Sequence, residues 1–164
     1  MDMPSPEFRR LTDVSLSEIV ALQNHPLVRR TLPLAREAMT EDGARDFVKG
    51  KERLWAEHGY GPWAFFLGGK FVGWGGLQPE GLPSGEVEAD LGLIVHPEYW
   101  GLGRQLYPEI VRRAFEDMGL PAITVLLPIS RPGARSLKRL GYVTEGEIDY
   151  AGVRFIKYRL TSTG

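Results

Sequence analysis

Two stretches of this sequence hold residues whose types and spacing can do chemistry. In His96-Pro97-Glu98-Tyr99-Trp100-Gly101-Leu102-Gly103-Arg104, two glycines stand where a helix would begin. The first turn of a helix presents backbone N–H groups without intrahelical partners at the positive end of its dipole. Glycine lets a phosphate reach that backbone and Arg104 adds a full charge, although a plain tight turn uses the same residues. Upstream, Glu86, Glu88 and Asp90 alternate with Val87, Ala89 and Leu91. The three acids therefore share one face of a strand, where a carboxylate can act as a base or simply meet solvent. Anion binding beside proton abstraction is the chemistry on offer. Leu106 stands where a dinucleotide fold has its third glycine, and no Gly-Lys-Ser/Thr follows, so the usual nucleotide motifs fit badly.

The elements that must position these residues follow from periodicity. Val87 to Val95 alternates at period two, a strand, and Leu106, Ile110, Val111, Ala114, Phe115 and Met118 form one stripe of a helix. Pro108 lies inside that helix and should bend it. Ser15 and Glu18 have the spacing of a capping box for a helix to about Asn24, which His25-Pro26 ends. Leu27 to Met39 reads as a loop or broken helical turn, and Thr40 caps a stronger helix through His58, closed by Gly59. Pro62 to Leu67 and Lys70 to Leu77 form a hairpin across Gly68-Gly69, followed by a loop from Gln78 to Gly85. Ala122 to Leu127 is a buried strand, Pro132 to Leu140 a short helix, and Tyr142 to Ile148 with Val153 to Leu160 a last hairpin. The order β-α-α-β-β-β-α-β-α-β-β has no repeat and no linker, so residues 1–164 are expected to be one domain.

Composition narrows the classes. The chain has 164 residues, a net charge of −1 and no cysteine. Interspersed charge offers no nucleic-acid or membrane surface, and the absence of cysteine removes disulfides, thiolate metal sites and a cysteinyl acyl-enzyme. His25, His58 and His96 lack metal-ligand spacing, and no metal is expected. Nothing in the N-terminus reads as a signal peptide and no long apolar run exists, which makes a cytoplasmic protein, monomer or homodimer, the expectation.

The order strand, His-Pro-Glu-Tyr-Trp-Gly-Leu-Gly-Arg, helix resembles the acyl-CoA-binding motif of the GNAT superfamily of N-acyltransferases. The Tyr-Trp-Gly-x-Gly wording is similar to its RimJ/RimL subgroup, which acetylates ribosomal-protein N-termini. Gly61-Pro62-Trp63-Ala64-Phe65 with Gly73-Trp74-Gly75-Gly76-Leu77, and Leu140-Gly141-Tyr142 with Glu145-Gly146, extend the likeness over most of Arg9 to Leu160. The resemblance implies an α/β (α+β) fold: a mixed, mostly antiparallel sheet of six or seven strands with about four helices. Its central parallel strands would splay apart for acyl-CoA. Gly92 is where a bulge or a close backbone approach would accompany the splay.

It also implies a function, transfer of an acetyl group from acetyl-CoA to a primary amine by direct attack. The amine is a protein N-terminus or a small molecule, and a catalytically weak acyl-CoA-binding or sensing module is the alternative. Such transfer needs a neutral amine, an oxyanion donor and a proton for the thiolate. Asp90, two residues before Gly92, takes the place where the subgroup often has a glutamate base; Glu88 is a second candidate. The oxyanion donor would be the N–H of Leu93 or Ile94. Leu93, Ile94, Val95, Trp100, Gly101, Leu102, Gly103, Arg104 and Gln105 would hold the cofactor, with Ser130 and Arg139 beyond them. Ser130, Gly133 and Leu137 stand where relatives carry Asn, a Ser or Ala, and an acid Tyr, which leaves Ser130, Ser136 or water to protonate the thiolate. Tyr60, Trp63 and Trp74 are core aromatics or acceptor contacts. Arg29, Arg30 and Arg36 give either a solvated loop or a positive rim that steers an acidic acceptor.

Overall fold

The structure is a computed structural model that describes residues 4–32, 37–81, 87–129, 133–150 and 152–162. Seven strands, β1 (Glu7–Arg9), β2 (Pro62–Leu67), β3 (Lys70–Gly81), β4 (Val87–Val95), β5 (Ala122–Pro128), β6 (Val143–Tyr150) and β7 (Val153–Thr161), form one sheet in the order β1-β2-β3-β4-β5-β7-β6. Every neighbouring pair is antiparallel except β4 with β5. Among the described residues, five α-helices, α1 (Leu16–Asn24), α2 (Pro26–Thr31), α3 (Glu41–His58), α4 (Gly103–Arg112) and α5 (Ala134–Arg139), are distributed along the chain.

The caps behave as their chemistry requires. Ser15 Oγ accepts the Glu18 N–H and Thr40 Oγ1 accepts the Gly43 N–H at 3.0 Å, while Gly59 closes α3 in the left-handed region at φ 74°. Leu27 to Thr31, expected as irregular, is helical. Pro26 ends α1 but has the φ that suits a first helical position, and His25 Nδ1 caps α2 by accepting the Leu27 N–H at 3.2 Å. Pro33 to Arg36 lie outside the described residues.

Strand β3 also exceeds expectation, running through Pro79 to Gly81. The Leu77 N–H donates to Gly61 O, so odd-numbered backbone groups of β3 turn toward β2, and β2 begins only at Pro62 opposite Gly76. Pro79 therefore lacks its N–H on the side where no strand is waiting, and the ladder to β4 continues unbroken. Gly92, expected at a bulge or a close backbone approach, pairs in register with Gly76 without a bulge. The close backbone approach is present: a Cβ on Gly75 would lie 2.5 Å from Gly92 O, and one on Gly73 2.5 Å from Ile94 O.

Two cores form on opposite faces. Leu91, Val95, Ile123, Val125 and Tyr158 pack with Leu106, Ile110 and Ala114 of the α4 side, and Ala64 and Phe66 pack with Leu11, Ile19 and Ala44 of the α1 and α3 side. A 3₁₀ turn over Pro97–Leu102 leads into α4, which runs through Pro108 to a wider π turn at Arg113–Asp117. Strands β4 and β5 touch at one register pair, Asp90 with Thr124. Beyond it they part, as the splay requires.

Candidate active site

Asp90 stands at the point of parting. It is 6% exposed, and Thr124, 1% exposed, donates its hydroxyl to Asp90 Oδ1 at 2.9 Å. Burial pushes the Asp90 carboxyl from an ordinary 3.8 to about 7; the Thr124 hydrogen bond and Lys157 oppose that rise, while the charges of Glu80 and Glu88 add to it. A carboxyl poised there can accept a proton near neutral pH and release it again.

A cavity of about 470 Å³ opens on this carboxyl. Its wall combines Asp90, Gly92, Leu93 and Ile94 of β4 with Trp74, Gly76, Gln78 and Glu80 of β3, Leu126 and Pro128 of β5, Phe155 of β7 and Tyr150 of β6. Gln23, Thr31, Leu32 and Phe47 close it from the helices. A Cβ on Gly92 would meet nothing within 4 Å, so that glycine leaves space on the wall rather than answering a crowded backbone.

Backbone parity decides which N–H faces the gap. The His96 N–H donates to Val72 O, and Gly92 O and Ile94 O lie against Gly75 and Gly73. Even-numbered groups of β4 thus turn to β3, and alternation turns the Leu93 N–H toward the widening gap with β5. Ile94, the other expected donor, points its N–H into the β3 ladder. Val95 O, odd-numbered, is already taken by the Trp100 indole N–H at 2.8 Å.

The glycine loop differs in form from the expected bare helix start. It is the 3₁₀ turn, and the Gly103 N–H donates to Trp100 O. His96 is structural, its Nδ1 accepting the Glu98 N–H. Yet a Cβ on Gly101 would meet nothing within 4 Å, and one on Gly103 would meet only Tyr107 Cδ2 at 4.0 Å. Neither has a positive φ. Neither protein packing nor backbone conformation explains these glycines, which leave open backbone beside the exposed side chains of Arg104 and Gln105. Leu102 and Val95 turn into the core, and Arg139 is exposed in the last turn of α5.

Other expected site residues fall elsewhere. Glu88 is committed to ion pairs: Lys157 Nζ lies 2.6 Å from Oε2, Arg159 donates to Oε1, and Glu145 accepts from Arg159 Nε at 2.9 Å. Burial would raise the Glu88 carboxyl, but Lys157 and Arg159 outweigh it and hold it below the ordinary range, which makes it a poor base. Tyr60 and Trp63 belong to the α4-side core, Trp63 against Trp55 and Phe8 at centroid distances of 5.1 and 5.4 Å. Trp74 alone of the three aromatics reaches the cavity, its indole N–H held by Gln23 Oε1 at 2.8 Å. Arg29 and Arg30 end α2 without lining the cavity. Ser130, Glu86 and Arg36 lie outside the described residues, and Leu137 is a buried core residue that supplies no hydroxyl.

Several residues had no sequence signal. Thr124 is one polar position in a buried strand, and Glu80 lies in the segment Gln78 to Gly85 that the sequence reads as a loop. The Tyr142 hydroxyl is buried without a hydrogen-bond partner among the described residues, and burial, with the charges of Tyr107 and Asp90, raises its pKa. Among the described residues no cluster of His, Cys, Asp or Glu could hold a metal ion, and no helix is long and apolar enough to cross a membrane.

The acetyltransferase (GNAT) domain profile matches residues 7–143. No curated protein matches the sequence. Among solved structures the chain is similar to an N-acetyltransferase from Staphylococcus aureus, at TM-score 0.75 and 16% identity, covering 96% of this chain and 98% of that one. A ribosomal-protein-alanine N-acetyltransferase from Brucella melitensis gives TM-score 0.73 at 16% identity, covering 95% and 99%. A Salmonella typhimurium structure with its cofactor acetyl-CoA gives 0.72 at 16%, covering 98% and 94%. At such identities the structures speak for the fold, but the profile runs from β1 to the start of β6, over most of the chain: this protein belongs to the GNAT acetyltransferase family and is an acyltransferase.

Proposed function

We propose that this chain, as one domain, transfers an acetyl group from acetyl-CoA to a primary amine by direct attack in a ternary complex. The observation that carries the reading is the Asp90 carboxyl, buried on the cavity wall at the last pair before β4 and β5 part. The residues present fit the cosubstrate. Open backbone at Gly101 and Gly103 suits a pyrophosphate, with Arg104 beside it, and Gly92 leaves the cavity wall clear. Bound acetyl-CoA supplies the activated acetyl group.

Asp90 takes the proton that the amine must lose for its nitrogen to bond to the acetyl carbon. The Leu93 N–H, fixed toward the gap, stabilises negative charge on the carbonyl oxygen as the carbon–sulfur bond breaks. The departing thiolate needs a proton, for which Ser130, Ser136 or a water is the candidate donor. The likeness to the ribosomal-protein-alanine enzyme supports an N-terminal α-amine as one acceptor type. Leu137 in place of a tyrosine favours the second reading, a catalytically weak acyl-CoA-binding module.

Free-thiol release from acetyl-CoA with a panel of amines separates the two. Amine-dependent release is expected. Asp90→Asn should lower the rate by about a hundredfold at neutral pH, the usual scale of acid–base assistance, and recover above pH 9, where the amine deprotonates unaided. Binding without release would leave only the binding module, and an Asp90→Asn profile parallel to wild type would remove Asp90 as the base.

A further inference from the structure

We propose that the acceptor is a cationic primary amine with an aromatic body and no carboxylate beside the amine, a class that the charge and lining of the cavity select. The inference rests on the acetyl-transfer reading of the same cavity. Among the described residues, its charged lining is Glu80 and Asp90, both carboxyls, and Arg29 and Arg30 stand outside it. Gln78 and Asp90 are register partners, as are Glu80 and Glu88, so Glu80 lies two residues along the same sheet face from the Asp90 row. An ammonium entering toward Asp90 meets a second carboxylate, whereas a carboxylated acceptor meets like charge.

The remaining wall decides the body. Phe47 and Trp74 pack edge to face at 4.9 Å on one side, and Phe155 and Tyr150 at 6.5 Å line the other. Leu32, Ile94 and Leu126 add apolar surface to the wall. Such a surface takes up a flat apolar group.

Among the described residues, Lys157 and Lys51 lie near. Lys157 is engaged by Glu88 at 2.6 Å and Glu145 at 3.6 Å. Lys51 Nζ is 3.2 Å from Gln78 Oε1 and about equidistant from the Phe47 and Trp74 rings, at 5.4 and 5.5 Å. It is the place where an acceptor carboxylate would be received if the class were amino acids. Its ring contacts already satisfy the charge in part, and it is not part of the lining.

The test compares 2-phenylethylamine, phenylalaninamide and phenylalanine, which share the aromatic body and differ in what stands beside the amine, with acetyl-CoA affinity measured by calorimetry on the same full chain. The expected result is that kcat/KM for the first two exceeds that for phenylalanine by about tenfold or more. Glu80→Gln should narrow that gap several-fold without changing acetyl-CoA affinity. Preference for phenylalanine, lost in Lys51→Met, would overturn the class in favour of amino acids. Turnover of none of the three despite acetyl-CoA binding would overturn it too, leaving the transfer reading to other amines. Failure to bind acetyl-CoA would take both readings down together.

Discussion

Asp90 is a carboxyl that the fold holds partly protonated, and that condition has a sign for stability as well as for rate. Its folded pKa of about 7 lies above the ordinary 3.8, so between those values the folded chain keeps a proton that the unfolded chain has lost. Stability is then full below about pH 4 and falls as pH rises toward 7, the reverse of a salt-bridged carboxylate. At about 1.4 kcal/mol per pKa unit the ceiling is roughly 4 kcal/mol. Asp90→Asn keeps the shape and cannot ionise. Its melting temperature is expected to exceed that of wild type at pH 8 and to match it only below about pH 4. Equal differences at the two pH values would mean that the carboxyl is not held protonated by burial.

At the scale of elements, the turn into α4 is where glycine has no structural duty. Gly costs about 1 kcal/mol in a helix relative to Ala, and neither position repays it through packing or positive φ. Gly101→Val and Gly103→Val are therefore expected to fold with melting temperatures close to wild type and to weaken acetyl-CoA binding at least tenfold in calorimetry, because the new side chains occupy the approach to the backbone. A folded variant with unchanged affinity would place the pyrophosphate elsewhere. The contrast is with Gly75, where a side chain would strike Gly92 O; that substitution should cost folding itself.

For the whole molecule, the proposed site joins the two sides of the sheet. The cavity is walled by β3, β4, β5, β6, β7 and the first three helices, and the proposed acetyl-CoA site continues from β4 to the open glycines of the turn into α4. A ligand seated at the β4–β5 gap stabilises every element that frames it. Acetyl-CoA at 100 times its dissociation constant should add about 2.7 kcal/mol to unfolding and raise the melting temperature of wild type, while ATP and NAD should leave it unmoved. A shift with ATP or NAD alone would point to a different phosphate ligand on the same glycines.

The sequence by itself determined what depends on near neighbours. The caps at Ser15 and Thr40, the stop at Gly59, the hairpin at Gly68-Gly69 with φ of 58° and 81°, and the strand alternation of β4 are each written within a few residues. The acids of β4 and the glycine pair before α4 were legible for the same reason. Tertiary structure alone decided which of those acids titrates near neutral pH. Asp90 meets Thr124, 34 residues away, where both are buried, whereas Glu88 meets Arg159, 71 residues away, and is fixed as an anion. It also sorted the aromatics: Trp63 pairs with Gly75 and Trp74 with Ala64, so register puts one in the core and the other on the cavity. Pro79 is a strand residue because β2 begins only opposite Gly76 and leaves that side of β3 unpaired, and Glu80 reaches the cavity because the strand continues. Local pattern gives each residue a face, but the charge and burial of that face are set by strands that pair from distant parts of the chain.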